Sequence, residues 1–115
     1  MNEALASLDK ATELAPSAPE PFQQRGEIYR LQGETDKAIE QFNRVLQMHP
    51  GFLLTLIHRA EAYLASDRFD EALVDIEAVL KDNPDLTVAQ GLRAQALANL
   101  KRLPEAIEEM KKLAD

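Results

Sequence analysis

The chain has 115 residues, 45% of them hydrophobic and 29% charged, with a net charge of −7, which suits one small folded unit. The acidic balance works against a phosphate backbone, so no nucleic-acid partner is expected, and no Lys/Arg run marks a site for anionic lipid. Cysteine is absent, which removes disulfide and thiol chemistry and leaves the compartment open.

Helix formers dominate and no stretch alternates strictly enough to suggest a strand. Residues 2–14 predict a first helix carrying Leu5 and Leu8. Residues 19–32 predict a second, with Pro21 near its start, where a missing N–H costs nothing. Phe22, Gly26 and Tyr29 recur along it at helical spacing, and Gly33 ends it. Thr35-Asp36 are expected to cap a third helix over 35–48. Ala38, Phe42 and Val45 form its apolar stripe, and His49-Pro50-Gly51 stops it. The same pair of helices is predicted at 53–66 and 69–82, and again at 87–100 and 103–114. The longest apolar run, Phe52-Leu53-Leu54 and then Leu56-Ile57, is far shorter than the roughly 20 residues of a membrane span. Met1-Asn2-Glu3-Ala4 lacks the basic and long apolar regions of a secretory signal. A soluble, cytoplasmic chain without membrane insertion is expected.

A 34-residue period underlies this order. Pro16, Pro50 and Pro84 are 34 apart, as are Ala4, Ala38, Ala72 and Ala106. Leu8, Phe42, Ile76 and Met110 form a large apolar column. Gly26, Ala60 and Ala94 form a small one, Tyr29, Tyr63 and Leu97 another large one, and Arg25, Arg59 and Arg93 a charged one. So many columns at one spacing mark a repeat. The small residues let paired helices approach, the large ones fill the space between, and the prolines set the turn to the next pair.

These columns resemble the tetratricopeptide repeat family over the whole chain from Ala4 onward. The match is strongest at Phe22, Gly26, Tyr29, Ala38, Phe42 and Pro50, and continues through Ala60, Tyr63, Phe69, Ala72 and Pro84. Gln90 departs from the expected large apolar residue, and Arg25, Arg59 and Arg93 stand where leucine is usual. The resemblance implies an all-α, right-handed α-solenoid of antiparallel helix pairs, about seven helices in one domain. Its expected units are a half repeat at 1–18, full repeats at 19–52 and 53–86, and a final repeat at 87–115. A half repeat at the start is expected to mean a piece of a longer array, or ends that pair with another copy through Leu5 and Leu8 or Ile107, Met110 and Leu113.

The resemblance also implies a concave groove lined by the first helix of each pair. Its places here are Glu20, Gln23, Gln24, Glu27 and Arg30; then Leu54, Ile57, His58, Glu61 and Leu64; then Val88, Gly91, Leu92, Gln95 and Asn99. The lining shifts from acidic and polar to apolar, so a peptide or helix in the groove is the implied partner. The competing reading is that these apolar residues pack against neighbouring helix ends or against a segment outside this sequence. A carboxylate clamp is not implied, because its places hold Gln23, Glu27, His58, Val88 and Leu92. An asparagine ladder would need asparagines where Gln24, His58 and Leu92 stand. The arginine column is read as pairing with carboxylates such as Glu13, Glu40 or Asp75 on the preceding helix, with anion binding as the alternative. Arg59→Leu is then expected to leave the fold intact.

No catalytic set emerges. His49 and His58 are the only histidines, too few for a metal site or a triad, and no phosphate-cradling glycine motif occurs. The expectation is a protein-interaction scaffold with no cofactor, no metal and no enzymatic activity. The alternative is a structural spacer that self-associates through its terminal helices.

Overall fold

The structure, a computed structural model, describes residues 2–14, 18–100 and 103–114; Pro16 and the side chain of Ala106 lie outside the described residues. Among these, all regular structure is helical: α1 (Asn2–Leu14), α2 (Pro19–Leu31), α3 (Thr35–Met48), α4 (Leu53–Ala65), α5 (Phe69–Asp82), α6 (Thr87–Asn99) and α7 (Leu103–Ala114). The expected solenoid of antiparallel helix pairs is what forms, with helix limits within one residue of those predicted. α2 packs on α3, α4 on α5 and α6 on α7, and each pair leans on the next through α3–α4 and α5–α6. α4 also touches both α2 and α6, so these three helices share one face. The radius of gyration is 15.3 Å, against about 13 Å for a compact domain of this length. The molecule is a short superhelical stack more than a globule.

The turns inside the pairs repeat as well. Gly33 has φ +79°, and Glu34 N–H donates to the Tyr29 carbonyl at 2.9 Å, the backbone reversal that favours glycine. Asp67, 34 residues on, takes φ +60°, and Arg68 N–H donates to the Tyr63 carbonyl at 2.8 Å. Aspartate is among the few side chains that tolerate this region. The Thr35-Asp36 cap does not form. The turn through Gly33 is so tight that the Glu34 carbonyl already accepts the Ala38 N–H, at 3.0 Å. Glu34 is therefore the N-cap, without a side-chain cap bond, and Asp36 sits in the first turn of α3, where its charge suits the helix dipole. None of α2 to α6 has a side-chain N-cap bond; packing holds these helices.

That packing follows the columns. Ala38, Phe42 and Val45, with their counterparts Ala72, Ile76 and Val79, are buried, as are Ala60, Ala94 and Leu97. Burial fades toward the ends: Ala4 is exposed, Leu8 half-buried and Met110 exposed, because the same column position there has a helix on one side only. Gln90 is half-buried and donates from Nε2 to the Pro84 carbonyl at 2.9 Å, closing the turn where an apolar side chain was expected to pack. Gly26 is required sterically. A Cβ there would overlap the Phe42 ring, 2.7 Å from Cδ1.

The arginine column ties successive helix pairs together. Arg25 donates to Gln41 at 2.8 Å and pairs with Asp9 at 3.0 Å. Arg59 grips Asp75 through two bonds of 2.8 and 2.6 Å and donates to Asn43 at 2.8 Å. Arg93 pairs with Glu109 at 2.9 Å and Glu77 at 3.8 Å. Each arginine thus reaches sixteen residues forward, to its own pair's second helix, and sixteen back, to the preceding pair's second helix. Of the partners expected from sequence only Asp75 is used, and it lies on the following helix; Glu13 and Glu40 are not among the contacts of these arginines. Among the described residues one buried side-chain atom, Arg25 Nε, has no hydrogen-bond partner. Gln41 offers a single oxygen where Asp75 offers two.

Asp75 is 3% exposed at its side chain, so removing its arginine strands a carboxylate in the core. Arg59→Leu is therefore expected to lower stability by about 3 kcal/mol, and Arg59→Leu/Asp75→Leu to recover most of it. Denaturant unfolding of both variants checks this; equal losses in the single and double variants would contradict it. Gly26→Ala should also destabilise, by about 1–3 kcal/mol, although alanine is the better helix former by about 1 kcal/mol. A thermal melt at or above that of the unsubstituted chain would show that Phe42 yields.

Candidate functional site

α2, α4 and α6 present the concave face. At its centre five side chains of α2 and α4 form one polar network. Thr55, fully buried, donates to Gln23 Oε1 at 2.5 Å. Gln23 Nε2 lies 3.0 Å from His58 Nδ1, which also lies 3.0 Å from Glu27 Oε1. Glu27 in turn accepts two bonds from Arg30, at 2.8 and 3.1 Å. A ring nitrogen serves one of these neighbours at a time. Without a proton, Nδ1 accepts from Gln23; with one, it donates to Glu27. The imidazole stands edge-on to the Phe42 ring at 5.9 Å between centroids, so the residue that fills the gap at Gly26 also backs the groove wall. The Arg30 hydrogen bonds hold the Glu27 carboxyl below its ordinary value of 4.5, with His58 and the Arg30 charge acting the same way and burial opposing.

Two depressions flank this network. One, of about 350 Å³, is lined by Pro19, Glu20, Gln23, Gln24, His49, Phe52 and Leu54. The other, of about 230 Å³, is lined by Arg30, Glu61, Leu64, Ala65, Leu92 and Gln95. Five of the expected groove residues therefore meet in the second, and four, Glu20, Gln23, Gln24 and Leu54, line the first. Glu27 and His58 belong to the network between. Leu54 and Val88 are 49% and 50% exposed, while Ile57 and Leu92 are half-buried against the main core. Leu64 departs from expectation. It is 7% exposed and part of that core, because α4 has α2 on one side and α6 on the other; it floors the second depression without belonging to an exposed strip. A side chain at Gly91 would point toward Leu113 of α7, 3.9 Å away.

Sequence reasoning missed Phe52 and His49 as walls of the first depression. Phe52 and Leu86 are 34 apart, both just ahead of a first-type helix, and that apolar column was the available signal. Among the described residues no group of three or more His, Cys, Asp or Glu side chains is placed to hold a metal ion, and no helix is long and apolar enough to cross a membrane.

Because its folded-state value is depressed, Glu27 contributes stability in full above pH 4.5 and loses that contribution as pH falls through the folded value. The gap in melting temperature between the unsubstituted chain and Glu27→Gln should be largest near pH 7 and close below pH 4.5. A gap that persisted at pH 3 would contradict the pairing.

Residues 29–95 match a family model described as tetratricopeptide repeat, and residues 2–51 match a second model of the same description. Among solved structures, MamA (41-end) from Desulfovibrio magneticus superposes with a TM-score of 0.94 at 27% identity, over 99% of this chain and 64% of that one. The chain thus spans less than two thirds of that MamA chain. The first tetratricopeptide domain of Spaghetti (RPAP3), bound to the HSP90 peptide SRMEEVD, superposes with a TM-score of 0.77 at 25% identity, over 83% and 75% of the two chains. A tetratricopeptide protein from Parabacteroides merdae shares the fold at 23% identity and a TM-score of 0.90, over 97% of this chain and 44% of that one. No curated protein matches the sequence.

Proposed function

The chain belongs to the tetratricopeptide repeat family, and from that premise we propose that it is a non-enzymatic scaffold holding a peptide or helix segment on its concave face. The observation that carries this is the pair of depressions on one face, around Leu54 and around Leu92, with hydrogen-bonding groups between them. The RPAP3 neighbour carries a bound peptide, which supports the same class of role. That peptide, SRMEEVD, is acidic and ends in a carboxylate. Here the clamp places hold Gln23, Glu27, His58, Val88 and Leu92, and Arg30 of the same face is engaged by Glu27. A carboxylate clamp is therefore not the mode we propose.

Leu64 is too buried for a clean test, whereas Leu54 is half-exposed and its change should spare the fold. Peptides selected against the unsubstituted chain from a random displayed library should bind Leu54→Glu at least about tenfold more weakly, equivalent to about 1.4 kcal/mol. Selected peptides indifferent to Leu54→Glu and to changes at Glu61 would sink the groove reading. The alternative, a spacer that stacks copies, draws on exposed Ile107, Met110 and Leu113 of α7. Sedimentation that depends on concentration, and loses that dependence when Met110 and Leu113 become charged, would favour it.

A further inference from the structure

We infer that the segment held on the concave face is extended and basic, with two apolar anchors about four residues apart and a Lys or Arg beside the second anchor, seated on Glu61. This rests on the scaffold reading above and gives its partner a chemistry.

The spacing comes from α4, which walls both depressions. Leu54 lines the first; Glu61 and Leu64 line the second. Leu54 and Leu64 are ten residues apart on one helix, roughly 15 Å at about 1.5 Å per residue. An extended chain, at about 3.3 Å per residue, crosses that distance in four to five residues, and its side chains at i and i+4 point the same way. The ground between the depressions is polar: His58, Gln23 and Glu27 lie there in one network. An extended backbone has N–H and C=O groups to offer such a surface. A helix has already used its own and would lay an apolar face over hydrogen-bonding groups, at a cost.

The sign of the partner's charge comes from what is already paired. The expected groove residues include three carboxylates, Glu20, Glu27 and Glu61, against one guanidinium, Arg30. Arg30 is held by Glu27 through two hydrogen bonds. Glu61 is half-buried beside Leu64, Leu92 and Arg30; it makes no hydrogen bond or ion pair among the described residues, and its charge acts on Arg30 more weakly than that of Glu27. The groove positions of α6, namely Val88, Gly91, Leu92, Gln95 and Asn99, add no charge. Glu27 and Glu61 thus share the one guanidinium of Arg30, and the negative charge left over at Glu61, in a partly apolar rim, is matched by an ammonium or guanidinium on the ligand. An acidic segment would meet a net negative face on a chain of charge −7.

The test uses fluorescein-labelled Gly/Ser peptides with leucines at i and i+4 and a lysine next to the second leucine, alongside the same peptides with glutamate in place of lysine. Fluorescence anisotropy should show the lysine peptide binding about tenfold more tightly, the equivalent of about 1.4 kcal/mol. Glu61→Lys should reverse the preference, and Glu61→Gln, the milder change should Glu61→Lys misfold, should abolish it. A proline between the leucines, which a helical ligand would not tolerate, should leave affinity within about twofold if the ligand is extended. Equal binding of lysine and glutamate peptides, both weakened by Leu54→Glu, overturns the basic-partner inference and leaves the scaffold reading standing. Binding insensitive to Leu54→Glu and Glu61→Lys alike overturns both. No binding of any peptide overturns this inference alone, since library selection tests the scaffold reading independently.

Discussion

A guanidinium enclosed between helices must find its counter-charge within its own reach, and in this chain that requirement recurs in every complete pair. Arg25, Arg59 and Arg93 each stand on a first-type helix and extend to the second-type helices on both sides. The partners are chemically uneven, yet each site comes close to neutrality. Asp9 balances Arg25 while Gln41 only accepts; Asp75 balances Arg59 while Asn43 only accepts. Arg93 has two carboxylates, Glu77 and Glu109, and Lys112 adds a second cation 3.6 Å from Glu109. Where leucine would give only contact area, arginine fixes direction: a guanidinium bonded forward and back sets the stagger of three helices at once.

That stagger is what gives the concave face its geometry. With α2, α4 and α6 held by their arginines, the fit of Gly26 against Phe42 brings α2 onto α3, and the Phe42 ring also supports His58 edge-on. A substitution at Gly26 would therefore reach the groove without touching it, by moving the ring that backs the imidazole. The wall of the site is set by a core residue, and the polar network on the wall is set by a buried hydroxyl, Thr55, which orients the Gln23 amide.

Much of this was legible in the sequence because the period was held by chemistry. Columns whose members share size, such as Ala38 with Ala72 or Val45 with Val79, announced burial, and the helix limits followed from Gly33, the prolines and the apolar stripes. The acceptors of the arginine column were present at the same spacing, as Asp9, Asn43 and Glu77 and as Gln41, Asp75 and Glu109. All but Asp75 escaped notice because their residue types differ: what the fold keeps there is an oxygen at one place, which a comparison of names does not reveal. Leu64 was misjudged for a related reason. Its column, Arg30, Leu64 and Ala98, belongs to the groove by register, but α4 is flanked on both sides and draws its member into the core.

Columns with constant chemistry have their side chains committed to packing between helices. Columns with changing chemistry, Glu20/Leu54/Val88, Glu27/Glu61/Gln95 and Gln24/His58/Leu92, fall on α2, α4 and α6, the helices of the shared face. The gradient places a surplus of carboxylate beside α2 and α4 and uncharged surface beside α6. Glu61 sits at the border between them, next to Leu64 and Leu92, where water is partly excluded and a charge is worth more than on an open surface. A segment held in the groove we propose would cross this border and meet a change of chemistry along its length.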